Sequence, residues 1–265
     1  MYNVAVKAVV TPMLMGAASL AGRRWGHQVG GWLVALPLTS GPIAFFLAID
    51  HGTGFASRTA VGMLAGTVSQ VAFALAYRWL ADHGRTMAFA GGCVGFAMAT
   101  FALTGVHWSA LPTFALTVAA LVAGLALTRR PLRSQPDTSA APDTAVAPPR
   151  WDIPIRMTVA TAVVLVITAL APVIGPYLAG LLSPFPVFGA VVAIMAHHVY
   201  GARAAAATLD GLLIGLAAPA VFFLTLALTL PGLGLTAFLL ATLTALATQA
   251  VTVTAMPGQA SVNTR

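Results

Sequence analysis

Long apolar runs alternate with short polar turns along almost the whole chain. A helix needs about 20 mostly apolar residues to cross a bilayer. The runs that meet this length are 3–21, 29–49, 58–80, 86–105, 109–128, 155–173, 177–197, 204–230 and 234–255. The pattern predicts an all-α polytopic membrane protein of about nine transmembrane helices. Pro219 inside 204–230 predicts a kink there. The one long connection, 129–153, is rich in Ser, Thr, Pro, Ala and Asp. Such a segment cannot pack a core and reads as a flexible linker. It separates a five-span half, 1–128, from a four-span half, 154–265.

Two of the runs are interrupted midway. The second contains Pro37, Thr39, Ser40 and Pro42 and ends in Asp50-His51-Gly52. The seventh contains Ser183, Pro184 and Pro186 and ends in His197-His198-Val199-Tyr200-Gly201. Gly30, Leu33 and Leu36 match Gly175, Leu178 and Leu181 at one spacing, while His51 and Gly54 match His198 and Gly201 with a shift of two. The spans that follow carry Gly62 with Gly66 and Gly211 with Gly215, small-residue pairs that let helices approach closely in lipid. An odd number of spans precedes the linker, so the second half enters the membrane from the opposite side. The expectation is an inverted-topology repeat, with broken second and seventh helices as pointers to a transporter's binding site. Chance similarity between Ala/Gly/Leu-rich segments is the alternative.

Composition agrees with lipid as the solvent. The chain is 59% hydrophobic and 7% charged, with a mean hydropathy of +0.91, against about 25% charged residues in soluble domains. The net charge of +7 would suggest nucleic acid in a soluble protein. Here all the basic residues but Lys7 and Arg58 fall on one side of the expected spans or in the tail. By the positive-inside rule that side is cytoplasmic, which puts the N-terminus outside and the C-terminus inside. Arg23-Arg24 after the first run argues for a retained span rather than a cleaved signal peptide. Nucleic acid is not an expected partner; the bilayer and a small-molecule substrate are, and a homo-oligomer is left open. Trp25, Trp32, Trp79, Trp108 and Trp151 sit near expected interfaces, as belt residues do.

The run Tyr177-Leu178-Ala179-Gly180-Leu181, then Phe185-Pro186, then Ala196-His197-His198-Val199-Tyr200-Gly201, resembles the GlpM family of small bacterial inner-membrane proteins. The resemblance covers about 155–255. It implies a fused two-repeat version, an inner-membrane location and a link to envelope polysaccharide or glycerol metabolism. It implies no catalytic residues. The first half departs from the pattern, with Thr39-Ser40-Gly41-Pro42 where the second has a Phe-Pro pair.

Each proline removes a backbone donor and frees a carbonyl one turn earlier. Freed polar groups persist in hydrocarbon only where protein or a water-filled cavity satisfies them. Pro37, Thr39, Ser40, Pro42, Ser183, Pro184 and Pro186 are therefore candidate substrate-binding positions, with half-helix N-termini offering positive dipole ends to an anion. Two packed kinks repaired by Ser and Thr are the alternative. Gln70 in the third span is a further candidate contact. Asp210 is the one carboxylate well inside a span, and buried ionisable groups in membranes mark a pathway or a partner. It is a candidate proton-coupling residue, or else a wet group paired with Arg203. Asp50, His51, His197 and His198 are candidates for proton relay, or helix-end caps.

Cys93 stands alone, no metal-binding His pair lies at helical spacing, and neither a P-loop nor Gly-x-Ser-x-Gly is present, so no cofactor, metal or catalytic residue is expected. The leading expectation is a secondary transporter or exporter of a small polar or anionic metabolite. An accessory protein of envelope polysaccharide or lipid metabolism is the alternative, and an intramembrane enzyme a third.

Overall fold

The structure, a computed structural model, describes residues 37, 39–105, 108–128 and 152–253, together with position 13. The expected first span, the start of the second, the linker and the C-terminal tail lie outside the described residues. Every regular element among the described residues is helical. These are α1 (Ser40–His51), α2 (Thr53–Leu80), α3 (Arg85–Thr104), α4 (Ala110–Thr128), α5 (Asp152–Ile174), α6 (Pro176–Leu182), α7 (Val187–Tyr200), α8 (Ala202–Gly215), α9 (Ala217–Leu233) and α10 (Ala237–Val253).

Among the described residues, five stretches are long and apolar enough to cross a membrane: Thr53–His83, Arg85–Thr104, Ala110–Thr128, Met157–Ile174 and Ala202–Thr252. The last includes the turn Gly234–Thr236 and so spans two of the expected crossings. The outer helices expose Met98, Phe101, Leu111, Val122, Leu239 and Leu243. Such faces belong in lipid, and the protein is membrane-embedded.

The centre of the fold is an antiparallel pair, α2 against α8–α9. The Ser57 hydroxyl donates to the Ala227 carbonyl at 2.8 Å, and Arg78 reaches Asp210 at 2.7 Å. Residue numbers rise along one member and fall along the other, which fixes the antiparallel sense. The two contacts are about 31 Å apart along α2 at 1.5 Å per residue, close to the thickness of a hydrocarbon core. Thr117 of α4 donates to the Leu64 carbonyl at 2.9 Å, holding α4 against α2. Near Pro219 the helix is interrupted at Leu216, since Pro219 has no N–H to give the Gly215 carbonyl.

The seventh expected span is two helices. α6 ends at Leu182, residues Ser183–Pro186 make a tight irregular turn, and α7 begins at Val187. α6 lies directly on α2. A Cβ on Gly62 would strike the Tyr177 carbonyl, one on Gly66 would come within 2.6 Å of the Leu181 carbonyl, and one on Gly180 would strike the Thr59 carbonyl. The Gly62–Gly66 pair therefore does what its spacing predicted.

Beside the two loose spacings read from the sequence, a third runs through the described residues. Gly52 (φ +84°) and Gly201 (φ +84°) each join two helices, and they lie 149 positions apart. The same offset relates Pro37 to Pro186, Gly62 to Gly211, Gly66 to Gly215 and Phe73 to Phe222. Interactions recur with it. Gly41 N–H donates to Pro37 O at 2.8 Å, and Ala190 N–H to Pro186 O at 2.7 Å. The hydroxyl of Thr59 donates to Phe55 O at 3.0 Å, and that of Thr208 to Ala204 O at 2.9 Å. Phe73 meets Phe89 edge-on at 6.4 Å, and Phe222 meets Phe238 at 6.5 Å. At this offset His51 falls opposite Tyr200 rather than His198.

Candidate functional site

The proline breaks lie on the two members of the central pair. Pro184 packs on Gly66, near the middle of α2, and the Phe185 ring meets Phe73 at 6.3 Å and Phe96 at 5.1 Å. Pro37 and Gly41 adjoin Phe222 of α9, whose Cζ lies 3.8 Å from a Cβ built on Gly41. Ser183 is fully buried, and its hydroxyl returns a bond to the Ala179 carbonyl at 2.6 Å. Ser40, Pro184 and Pro186 are buried, and Pro37, Thr39 and Pro42 are half-buried. Gln70 is half-buried one turn beyond Gly66, on the same stripe of α2. At the second break the carbonyls of Gly180 and Leu182, left by Pro184 and Pro186, accept instead from the Ser183 and Phe185 N–H groups, beside a cluster of aromatic rings.

The candidate proton-coupling residues do not form one group. Asp50 and His51 close α1 at the start of α2, where the His51 ring lies 5.0 Å from Phe55. Asp210, His197 and His198 gather at the other end of α2. Asp210 takes Arg78 as its ion partner rather than Arg203, which the spacing of seven on one helix had suggested. Nη1 of Arg78 donates to both carboxylate oxygens at 2.7 Å, and its Nη2 donates to the Thr128 carbonyl at 2.8 Å. The Arg78 side chain is 9% exposed and that of Asp210 29%.

Around this pair, the Tyr77 hydroxyl lies 3.3 Å from His197 Nδ1. Arg85, the first residue of α3, donates to His198 Nδ1. Consecutive residues at the end of α2 therefore bind α7, α8 and the last carbonyl of α4. The functional residues missed in the sequence are Arg78, Tyr77 and Arg85. Arg78 was counted among the turn residues, but it is buried in the last turn of α2. A buried cation near a helix end demands an acceptor, and Asp210 is the carboxylate within a span that can supply one.

Among the described residues, no three His, Cys or Asp side chains gather closely enough to hold a metal ion. Set beside known proteins, the chain matches no protein-family model, no curated protein and no solved structure.

Proposed function

We propose that the protein is a secondary transporter or exporter of a small polar or anionic metabolite, built from two copies of one four-helix unit in inverted topology. The observation that carries this reading is the antiparallel course of α2 and α8–α9, helices that correspond at the single offset of 149. Corresponding helices that run oppositely, each beside a proline-broken neighbour, are what an inverted repeat requires. In this reading the nine spans comprise four plus four and α4, the helix left without a counterpart. Two units of even span number point the same way unless one extra crossing separates them, and α4 supplies it.

The substrate would bind between the breaks. Both α1 and α7 begin there, so two helix N-termini face the middle of the protein and favour an anion. Gln70, Thr39 and Ser40 add polar contacts. The arginine-rich end is cytoplasmic on the positive-inside argument, and the GlpM resemblance implies the inner membrane. The resemblance of 155–255 to the GlpM family favours the accessory role in envelope metabolism as a second reading.

A comparison of metabolites inside and outside cells, with and without the protein, tests the proposal. A polar or anionic metabolite should redistribute, and Pro186→Ala should reduce that flux while the protein still inserts. Loss of a partner complex without any redistribution would favour the accessory role and overturn transport.

A further inference from the structure

The hairpin α7–Gly201–α8 is bounded by an interruption on each side. The turn Ser183–Pro186 separates it from α6, and the interruption at Leu216 separates it from α9. Both lie near the middle of the protein, since Pro184 packs on Gly66 and Leu216 falls halfway along α8–α9. The tip of the hairpin reaches the arginine-rich end. There it is held by side chains of α2 and α3: Arg78 to Asp210, Tyr77 to His197 and Arg85 to His198.

The corresponding hairpin of the first half, α1–Gly52–α2, is built differently. Thr67 stands at the position of Leu216 and Gln70 at that of Pro219, and α2 runs through unbroken. At the offset of 149, Ala227 stands opposite Arg78 and Val61 opposite Asp210. At that end the Ser57 hydroxyl bonds the Ala227 carbonyl of α9.

We propose that α7–Gly201–α8 is a hinged flap, latched shut by Arg78, Asp210 and the Thr128 carbonyl. Release of the latch opens a path from the arginine-rich end to the broken helices. The proposal rests on the transport reading for its purpose, but not for its geometry. The latch is built to release because it is polar and small in area, and because Asp210 keeps 29% of its side chain exposed. Water can replace the guanidinium there as it could not at a sealed pair. A flap needs joints at its base and a detachable contact at its tip, and only this hairpin combines the two among the described residues.

Thiol labelling tests the flap without any substrate. In a Cys93→Ala background, Ala206→Cys places a thiol one turn before Asp210 on the same stripe of α8. Ala60→Cys on α2 serves as a control; both positions are buried. A membrane-impermeant maleimide is applied from the arginine-rich side. Position 206 should label slowly in the parent and about tenfold faster with Asp210→Asn, a change of about 1.4 kcal/mol in opening. Exchanging the charges, Arg78→Asp with Asp210→Arg, should restore slow labelling, and position 60 should stay slow throughout.

An unchanged rate at 206 would overturn the latch. An equal rise at 60 would also overturn it, since the fold would then be loosening generally. If Asp210→Asn does not accumulate in membranes, Arg78→Gln is read instead, and the absence of any rise there is equally decisive. Faster labelling beside no metabolite movement would keep the flap and end the transport reading. Slow labelling beside intact flux would end the flap alone.

Discussion

At one end of the central pair, a serine hydroxyl meets a backbone carbonyl between α2 and α9. At the other, a guanidinium is shared between a carboxylate on α8 and the last carbonyl of α4. The two ends nonetheless share features at the offset of 149, among them the positive φ of Gly52 and Gly201 and the Phe73–Phe89 and Phe222–Phe238 contacts. Glycines and small buried residues recur where backbone geometry and close packing leave little choice. Charge has gathered at one end, where it changes how that end is held without altering the frame.

The largest effect is expected from Arg78→Ala. It leaves Asp210 without its cation and should cost about 2–4 kcal/mol, less than at a sealed pair because Asp210 keeps 29% of its side chain exposed. Chemical denaturation in detergent measures it, and a loss below about 1 kcal/mol would mean that the two ends are held alike. Next comes Gly180→Ala in the shared middle, where the new methyl meets the backbone of α2. The expected cost is about 1–3 kcal/mol from overpacking, and an unaltered midpoint would show that α6 is not seated on α2.

Gly52→Ala and Gly201→Ala form a matched pair, because both glycines hold φ at +84°. Each should lose about 1–3 kcal/mol, and a strongly unequal pair would break the correspondence of the two turns. The smallest effect is expected from Ser57→Ala, about 0.5–1.5 kcal/mol for one hydrogen bond. If it matched Arg78→Ala in the same denaturation series, the contrast between the ends would be lost.

Helical class and the broken seventh span were legible because prolines act locally. Pro184 and Pro186 stop a helix whatever surrounds them, and α6 and α7 part at that point. Asp210 was legible as a residue in need of a partner, since a carboxylate within an apolar run stays there only beside a counter-charge or water. Its partner was not legible, because Arg78 is 132 positions away and lies near a helix end where arginines are expected on orientation grounds alone. The offset of 149 was less visible for another reason. Histidines attract attention in an apolar sequence, whereas the shared positive φ of Gly52 and Gly201 shows only in the folded backbone.

The reach of Arg78 also has a consequence in time. During synthesis α2 is finished long before its counter-ion exists: Thr128 follows Arg78 by 50 residues and Asp210 by 132. At about 5–20 residues per second, the second interval is on the order of ten seconds. Through that wait the guanidinium is a lone cation at the end of an apolar helix, and such a cation stays with water and lipid headgroups. It serves first as an anchor for the nascent helix. Only when α8 arrives does the same side chain leave the interface and become an internal tie, and the Ser57 end closes later still, because its acceptor Ala227 lies beyond Asp210 in the chain.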